Sequence, residues 1–201
     1  LWIGTAGGGL FLLNGGQITP LGRELGLKNS EINIVSEDDR GTIWVGTDGG
    51  GLYRFTGGQF EKLLFEDAIS DLFVVGLQPA KDGALWVGYR SGLRLLQDGR
   101  LAGAWSKESL GIPDITAVFL DGGGTVLLGS KDGVFAFAGG ALRPVPTDQP
   151  IKNVHSLCAA PEGGLWVGTL MGLYRIQDGQ AARITTAARI PPSATTTAAA
   201  A

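Results

Sequence analysis

The stretch Thr42-Ile-Trp-Val-Gly-Thr-Asp-Gly-Gly-Gly-Leu-Tyr-Arg-Phe55 recurs along the chain and decides its fold. Clear copies begin at Leu1, Leu85 and Leu165, and a degenerate copy at residues 126–135 lacks the tryptophan and the threonine. The glycine that opens the second half of the unit falls at positions 9, 51, 92, 133 and 172, so the steps are 42, 41, 41 and 39 residues. A fixed period near 41 residues is the signature of a repeat architecture.

Each repeat divides into four short runs that favour β-strands. In the second repeat, residues 32–37 alternate apolar and polar side chains, which is the period of a strand, and residues 42–47 are rich in β-branched and aromatic types. Residues 51–56 and 59–65 complete the set. Gly57-Gly58 suits a two-residue hairpin turn, because glycine readily adopts the positive φ that such a turn needs. One repeat is therefore predicted to be a four-stranded antiparallel meander.

Four-stranded units that recur every 40–45 residues or so are typical of the blades of a β-propeller. The predicted fold class is all-β, a single β-propeller domain of five four-stranded antiparallel blades over residues 1–201. A large apolar residue stands at one register of each second strand and is predicted to pack between neighbouring blades. These residues are Trp2, Trp44, Trp86, Leu127 and Trp166. The blades are predicted near residues 1–23 together with 190–201, 32–65, 72–106, 115–147 and 154–186.

The composition excludes several classes of protein. The net charge is −3 and no run of Lys and Arg is present, which argues against a nucleic-acid partner. The single cysteine, Cys158, excludes an internal disulfide and a cysteine-based zinc site. No apolar run approaches the ~20 residues of a membrane helix, so we expect no membrane insertion by this segment. The chain opens inside a repeat at Leu1, so we expect the native N-terminus to lie upstream and infer nothing about export.

Residues that could carry catalysis or hold a cofactor are few. His155 is the single histidine, and its first-strand position allows a role in hydrogen bonding or none beyond a polar lining. No Gly-x-Ser-x-Gly nucleophile motif is present, and Gly46 to Gly51 leads into a strand, not into the Lys-Ser/Thr and helix of a phosphate loop. Asp38 and Asp39 are too few for a calcium site and are explained by turn formation. We therefore predict no catalysis, no metal and no cofactor.

Two sets of loops vary between the repeats and are predicted to lie on the same face of the propeller. One set is the turn between the second and third strands, and the other is the connection that enters the first strand. Variable loops gathered on a regular frame are where binding usually resides. Polar side chains there could orient a small ligand. The predicted ligand-binding residues are Asp48, Arg90, Lys131, Asp132, Asn153 and His155, and the opposite rim carries Arg40, Asp82 and Glu162.

The repeated pattern of an Asp/Gly turn, Leu-Trp-Val-Gly-Thr and Gly-Leu-Tyr-Arg resembles the two-component regulator propeller repeat. The clearest copies are residues 41–55, 83–95 and 163–176. The resemblance implies the extracytoplasmic sensing part of a bacterial membrane receptor, whose cytoplasmic part is a histidine kinase or a diguanylate cyclase. It also implies a periplasmic or extracellular location, a polysaccharide fragment as the ligand of some members, and rings that usually have seven blades.

The function expected from the sequence is a non-catalytic, ligand-recognising sensor propeller that acts in signal transduction. Its expected ligand is an oligosaccharide or another small polar molecule. The alternative is a structural propeller that docks a protein partner within a larger assembly, and a third reading is an enzyme. An open polar pocket favours sensing, an exposed apolar patch favours docking, and carboxylates converging with a histidine favour catalysis.

The chain begins at a second strand, so its first blade lacks a first strand. The segment that starts at Ile190-Pro-Pro-Ser compares in phase with the first-strand entry Ile112-Pro-Asp-Ile. We therefore predict that residues 194–200 pair with residues 1–5, complete the first blade and close a five-bladed ring, which removes exposed sheet edges. The alternative is that the chain forms part of a seven-bladed ring.

Overall fold

The computed structural model describes residues 1–67, 69 and 71–184, and almost all regular structure in them is antiparallel β-sheet. The strands are β1 (Trp2–Thr5), β2 (Gly9–Asn14), β3 (Gln17–Leu21), β4 (Ile32–Glu37), β5 (Ile43–Thr47), β6 (Gly51–Thr56), β7 (Gln59–Lys62), β8 (Val74–Pro79), β9 (Ala84–Tyr89), β10 (Gly92–Gln97), β11 (Arg100–Ser106), β12 (Ile115–Leu120), β13 (Val126–Ser130), β14 (Gly133–Ala138), β15 (Ala141–Pro144), β16 (Val154–Ala159), β17 (Leu165–Thr169), β18 (Gly172–Gln177) and β19 (Gln180–Arg183).

Consecutive strands pair into one meander per repeat. Strands β1–β3 form a three-stranded sheet, and β4–β7, β8–β11, β12–β15 and β16–β19 each form a four-stranded sheet. The predicted all-β class and antiparallel meanders are thereby confirmed. The predicted partner of the first sheet, residues 194–200, lies outside the described residues, and so does the ring closure built on it.

Short helical turns and one strand end depart slightly from the predicted pattern. One 3₁₀ turn forms at Arg23–Leu25 and another at Lys81–Gly83. Helix α1 (Lys107–Leu110) is a single turn. The fourth strand predicted over residues 59–65 ends at Lys62, because the chain turns away there and carries Phe65 to the Arg94 guanidinium.

The hairpin turns between third and fourth strands explain part of the glycine content. Gly57 and Gly58 have φ of 60° and 83°, and Asp98 and Gly99 have φ of 51° and 78°. Two successive positive φ values define the type I′ turn, whose twist matches that of the flanking strands. The Gly-Gly and Asp-Gly pairs therefore produce the tight hairpins that the sequence predicts.

The chain divides into two compact units, Leu1–Ser106 (unit 1) and a second that begins at Lys107 (unit 2). The single domain over residues 1–201 stays a prediction. In unit 1, Trp44 is 4% exposed and packs with Leu85 and Val87 of the next sheet. Trp2 meets Phe55 edge-on with ring centroids 5.5 Å apart. In unit 2, Leu127 packs against the cluster of the following sheet, so these second-strand residues pack between sheets as predicted.

The glycine of the second strand provides a hole for the next sheet in β1, β5 and β13. A methyl group added at Gly46 would collide with the side chain of Val74, the first residue of β8. In unit 2, a methyl group at Gly129 would lie 2.6 Å from Cγ1 of Val154, the first residue of β16. A β-branched side chain of one sheet thus occupies the space that glycine leaves in the preceding sheet.

Candidate functional site

The turns between second and third strands lie against the connections that enter the first strands. In unit 1, the backbone N–H groups of Gly7 and Gly9 donate to the carbonyl oxygen of Ser30 at 3.2 and 3.0 Å. In the next sheet, the N–H of Asp48 donates to the carbonyl oxygen of Glu31 at 2.9 Å. Both kinds of variable loop therefore share one edge of the sheets, which we call the loop edge.

Arg90 and the turn that contains Asp48 and Gly49 both lie close to Phe73 in unit 1. The N–H of Arg90 donates to the carbonyl oxygen of Phe73 at 3.0 Å, and the guanidinium carbon of Arg90 lies 4.3 Å from the centroid of the Phe73 ring. A methyl group at Gly49 would stand 3.8 Å from the same ring. We call this group of residues, Asp48, Gly49, Phe73 and Arg90, the Phe73 platform.

The sequence does not single out Phe73 as a site residue, although one signal could have found it. Its position directly before the first strand holds Glu31, Asp114 and Asn153 in other repeats. An aromatic residue at a polar loop position marks this repeat as different. It lets a cation–π contact hold the Arg90 guanidinium in place.

Asp48 carries an unused acceptor. Its Oδ1 atom is buried, and no described residue donates a hydrogen bond to it. Most buried polar atoms are hydrogen-bonded, so an orphan acceptor indicates a missing donor such as a ligand hydroxyl or water. Asn29 fixes the backbone of this turn, because its Nδ2 donates to the carbonyl oxygen of Asp48 at 3.0 Å.

A small hollow of about 120 Å³ adjoins the Phe73 platform through Asn29. The predicted site residues do not line it, because such a space follows from side-chain packing and has no sequence motif. Arg23 and Lys28 are exposed at it, and neither forms an ion pair with a described residue. The hollow is lined by Gly8, Gly9, Leu10, Pro20, Leu21, Gly22, Arg23, Leu27, Lys28, Asn29 and Ser30.

In unit 2 the structure places the other four predicted residues along the same kind of edge. The N–H of Asn153 donates to the carbonyl oxygen of Lys131 at 2.9 Å, and that of Leu170 donates to Asn153 at 3.3 Å. Asn153 has φ of 53°, a left-handed conformation that asparagine tolerates. The side chains of Lys131, Asp132, Asn153 and His155 are exposed.

His155 occupies a β-bulge. Strand β16 pairs Val154 with Thr169 and Ser156 with Gly168, which leaves His155 unpaired between them. At the same bulge position in other sheets, the Asn33 side chain donates to the carbonyl oxygen of Val74 at 3.2 Å. Thr116 likewise donates to the carbonyl oxygen of Val154 at 2.5 Å. The position therefore serves hydrogen bonding between neighbouring first strands.

The most strongly perturbed ionisable groups form a buried cluster around Arg94. Its Nε and Nη2 donate to the two carboxylate oxygens of Asp67 at 2.7 and 2.8 Å, and Nη2 also donates to the carbonyl oxygen of Ile69 at 2.6 Å. The hydrogen bond from Arg94 lowers the pKa of Asp67. Burial raises the pKa of Tyr89 to about 12. These contacts link strand β10 to the connection that precedes β8.

One feature of the sequence could have indicated the Arg94 cluster. Arg94 stands at the third-strand position where other repeats carry Phe11, Tyr53, Phe135 and Tyr174. A charged residue at an aromatic core position needs a buried partner. Asp67 supplies it from 27 residues away. We assign this cluster a structural role, because its donors and acceptors are used within the chain.

Asp38 forms a turn, as predicted, and Asp121 forms a similar one through the N–H groups of Gly123 and Thr125. One carboxylate oxygen of Asp38 accepts hydrogen bonds from the backbone N–H groups of Arg40 and Thr42 at 3.0 and 2.8 Å, and the other accepts from the indole N–H of Trp44 at 2.8 Å. Burial acts to raise the pKa of Asp38, but the hydrogen bonds from Trp44, Thr42 and Arg40 outweigh it and lower the pKa.

Residues 1–67, 69 and 71–184 contain no group of three or more His, Cys, Asp or Glu side chains that could hold a metal ion. Within the same residues, no helix has the length and apolar character needed to cross a membrane.

Five consecutive meander sheets, with apolar residues packed between neighbouring sheets within each unit, define a β-propeller-type repeat protein. The two component regulator propeller family model matches residues 26–49 and 148–171. The resemblance found in the sequence is therefore confirmed in two repeats. No curated protein matches the chain significantly.

Solved structures similar to this chain are β-propellers. The extracellular domain of a candidate one component system from B. thetaiotaomicron is 26% identical, with a TM-score of 0.71 over 88% of this chain and 26% of that chain. The extracellular domain of a candidate hybrid two component system from the same organism is 17% identical, with a TM-score of 0.74 over 95% and 27%. The chain thus spans about a quarter of the length of these two proteins.

An enzyme also shares the fold. Virginiamycin B lyase from Staphylococcus aureus is 14% identical, with a TM-score of 0.67 over 89% of this chain and 63% of that chain. At this identity the likeness concerns the fold alone, since one fold hosts unrelated functions.

Proposed function

We propose that this chain is a non-catalytic recognition segment of an extracytoplasmic sensor propeller in a bacterial receptor, and that it binds a hydroxyl-rich or anionic ligand at its loop edge. The observation that carries the proposal is the Phe73 platform. There the turn after β5 carries the buried, unpartnered Oδ1 of Asp48, and the turn after β9 carries the Arg90 guanidinium, which is stacked on Phe73.

The platform suits a ligand that carries both donors and acceptors. The Asp48 carboxylate accepts hydrogen bonds, and the guanidinium of Arg90 donates them in a fixed fork. Stacking on Phe73 restrains Arg90 before binding, which lowers the side-chain entropy lost when a ligand is held. Gly49 has no side chain, so a ligand can approach the backbone at that turn.

The sensor assignment is supported by the two family-model matches and by the extracellular domains that resemble the chain. These similarities also support a periplasmic or extracellular location. A kinase or cyclase output is part of the proposal. Lys131, Asp132, Asn153 and His155 stay predicted ligand contacts on the loop edge of unit 2.

Replacing Arg90 with alanine is expected to weaken ligand binding about tenfold or more, equivalent to about 1.4 kcal/mol. Asp48→Asn should weaken binding of a neutral, hydroxyl-rich ligand similarly, because an amide oxygen accepts a hydrogen bond less strongly than a carboxylate. Binding would be measured by calorimetric titration with neutral β-1,4-glucan oligomers and with anionic oligogalacturonate. Lys131→Ala and Asn153→Ala extend the same test to unit 2.

Arg40→Ala is the matched control, since Arg40 is an exposed arginine at the turn between first and second strands and pairs only with the exposed Asp98 at 2.5 Å among the ion pairs described. It should leave binding unchanged. Equal losses from Arg40→Ala and Arg90→Ala, or binding that none of the loop-edge variants affects, would contradict the placement of the ligand.

The alternative function, docking of a protein partner, is favoured by one feature of unit 2. Leu170 and Met171, in the turn between β17 and β18, are 72% and 62% exposed, whereas the same turn is Asp48-Gly49 or Lys131-Asp132 in other repeats. Arg183 donates to the carbonyl oxygen of Met171 at 2.5 Å and helps to hold this apolar tip. Failure of every oligosaccharide to bind the wild-type chain would make docking the better proposal.

We expect the chain to have no hydrolytic activity, and this prediction rests on His155. An exposed histidine at a β-bulge has no carboxylate or nucleophile hydrogen-bonded to it among the bonds that the structure gives, whereas a general base needs an orienting partner. Chromogenic glycosides and esters should show no turnover above the buffer rate. Turnover by the wild-type chain that His155→Ala abolishes would show that the prediction is wrong.

A further inference from the structure

We propose that the hollow beside the Phe73 platform is a subsite for the acetamido group of an N-acetylated sugar. This inference rests on the proposed function and names the substituent that the ligand carries. The hollow lies wholly within unit 1, between the turn that follows β1 and the connection that precedes β4.

The size of the hollow fits a substituent. Its volume is about 120 Å³, slightly less than the roughly 150 Å³ of an engineered protein cavity that binds benzene. An acetamido group is smaller than benzene and leaves room for the sugar ring to remain outside. The ring would then lie at the mouth of the hollow, toward the Phe73 platform.

The floor of the hollow is apolar. Leu10 and Leu27 are 1% and 2% exposed and belong to one hydrophobic cluster, and Pro20 and Leu21 form part of the wall. A methyl group that moves from water onto this floor gains apolar contacts, which is favourable. A hydroxyl group carries no methyl group and would gain no such apolar contact on this floor.

The rim supplies donors for the acetamido carbonyl. Arg23 and Lys28 line the hollow and carry N–H groups that make no ion pair with a described residue. The carboxylate of Glu24, which follows Arg23 in the sequence, accepts the N–H of Gly22 at 2.8 Å. The rim therefore combines cationic donors with an acid held by its own turn, which suits a neutral amide carbonyl.

Asn29 joins the hollow to the platform. It lines the hollow, its Nδ2 donates to the carbonyl oxygen of Asp48 at 3.0 Å, and its Oδ1 accepts the N–H of Glu31 at 2.7 Å. Both ends of this side chain are used, so the spacing between hollow and platform is fixed. One sugar can then place its acetamido group in the hollow and its hydroxyl groups near Asp48.

The test compares chitotetraose with cellotetraose, which share the β-1,4-linked backbone and differ in the acetamido groups. Calorimetric titration of the whole chain should show that chitotetraose binds at least about tenfold more tightly. Ser30→Tyr, which places an aromatic ring at the lining, should reduce the affinity for chitotetraose to that for cellotetraose and leave the latter unchanged.

Lys152→Tyr is the matched control, because Lys152 holds the position of Ser30 in the last repeat, and it should change neither affinity. Thermal melts of both variants check that they fold. Equal affinities for the two sugars that Arg90→Ala reduces would overturn the acetamido subsite and leave the proposed function standing. Binding of oligogalacturonate alone would likewise overturn the acetamido subsite and leave the proposed function standing. Binding of none of the three sugars would overturn both the subsite and the proposed function.

Discussion

Replacing Asp67 with alanine will lower the free energy of unfolding by about 3–5 kcal/mol, the usual cost of breaking a buried ion pair from one side. Arg94 is 2% exposed and would keep its charge without the carboxylate that now accepts two of its N–H groups at 2.7 and 2.8 Å. The rings of Tyr89 and Phe65, 4.2 and 4.8 Å from the guanidinium carbon, cannot replace that charge.

Urea denaturation followed by circular dichroism measures this effect. Arg40→Ala breaks an ion pair whose side chains are each 54% exposed and should cost less than about 1 kcal/mol. A triple variant that restores the repeat pattern, Asp67→Ala with Arg94→Tyr and Tyr89→Thr, should recover most of the stability, since apolar replacement of a buried pair is often neutral. An Asp67→Ala cost as small as that of Arg40→Ala would contradict the role assigned to the pair.

The Asp67–Arg94 ion pair makes the free energy of unfolding depend on pH in a defined direction. Because Arg94 lowers the pKa of Asp67 in the folded chain, the stabilisation is fully present above the ordinary aspartate pKa of about 3.9. It is lost as the pH falls through the lowered folded value. The difference in unfolding free energy between wild type and Asp67→Asn should therefore be constant near neutral pH and narrow below about pH 4.

Gly46→Ala will destabilise unit 1 by about 1–3 kcal/mol, the typical cost of overpacking a filled core. The added methyl group meets the side chains of Val74 and Ile34. Val74 is fully buried and belongs to a packed cluster, so it has no free space to move into. Gly129→Ala should act in the same way in unit 2, where the methyl group would lie 3.1 Å from Cβ of Ala117 as well.

Gly122→Ala is the control for this effect. No heavy atom lies within 4 Å of a methyl group placed there, and Gly122 is not among the glycines with positive φ. Its thermal unfolding midpoint should stay close to that of wild type. Gly46→Ala combined with Val74→Ala should be less destabilised than the sum of the two single changes. Strict additivity, or a Gly46→Ala variant as stable as Gly122→Ala, would show that the glycine hole does not matter.

The fold could be predicted from the sequence because its determinants are local. Turn pairs such as Gly57-Gly58 and alternating runs such as residues 32–37 act over a few residues, and the repeat period shows each signal several times. The end of β7 at Lys62 was missed, because it depends on a contact between Phe65 and Arg94 that is distant in sequence.

The sequence singles out some residues of the candidate site but not the ring or the hollow beside it. Asp48 and Arg90 stand out as polar residues in variable turns, and the structure places Arg90 and Gly49, the neighbour of Asp48, close to Phe73. Phe73 itself was missed, since an aromatic residue beside a strand is read as core. The hollow at Leu10 and Leu27 was missed as well, because a space depends on how side chains from separate segments pack.

The fit between the glycine of one second strand and the β-branched residue of the next sheet also bears on how such a chain can change over evolutionary time. Gly46 belongs to one repeat and Val74 to the following one, so the two sites that constrain each other are inherited across a repeat boundary. A repeat that is exchanged or duplicated as one complete sheet must fit a new neighbouring sheet on each side. A segment cut between the first and second strands would instead carry the glycine and its β-branched partner together.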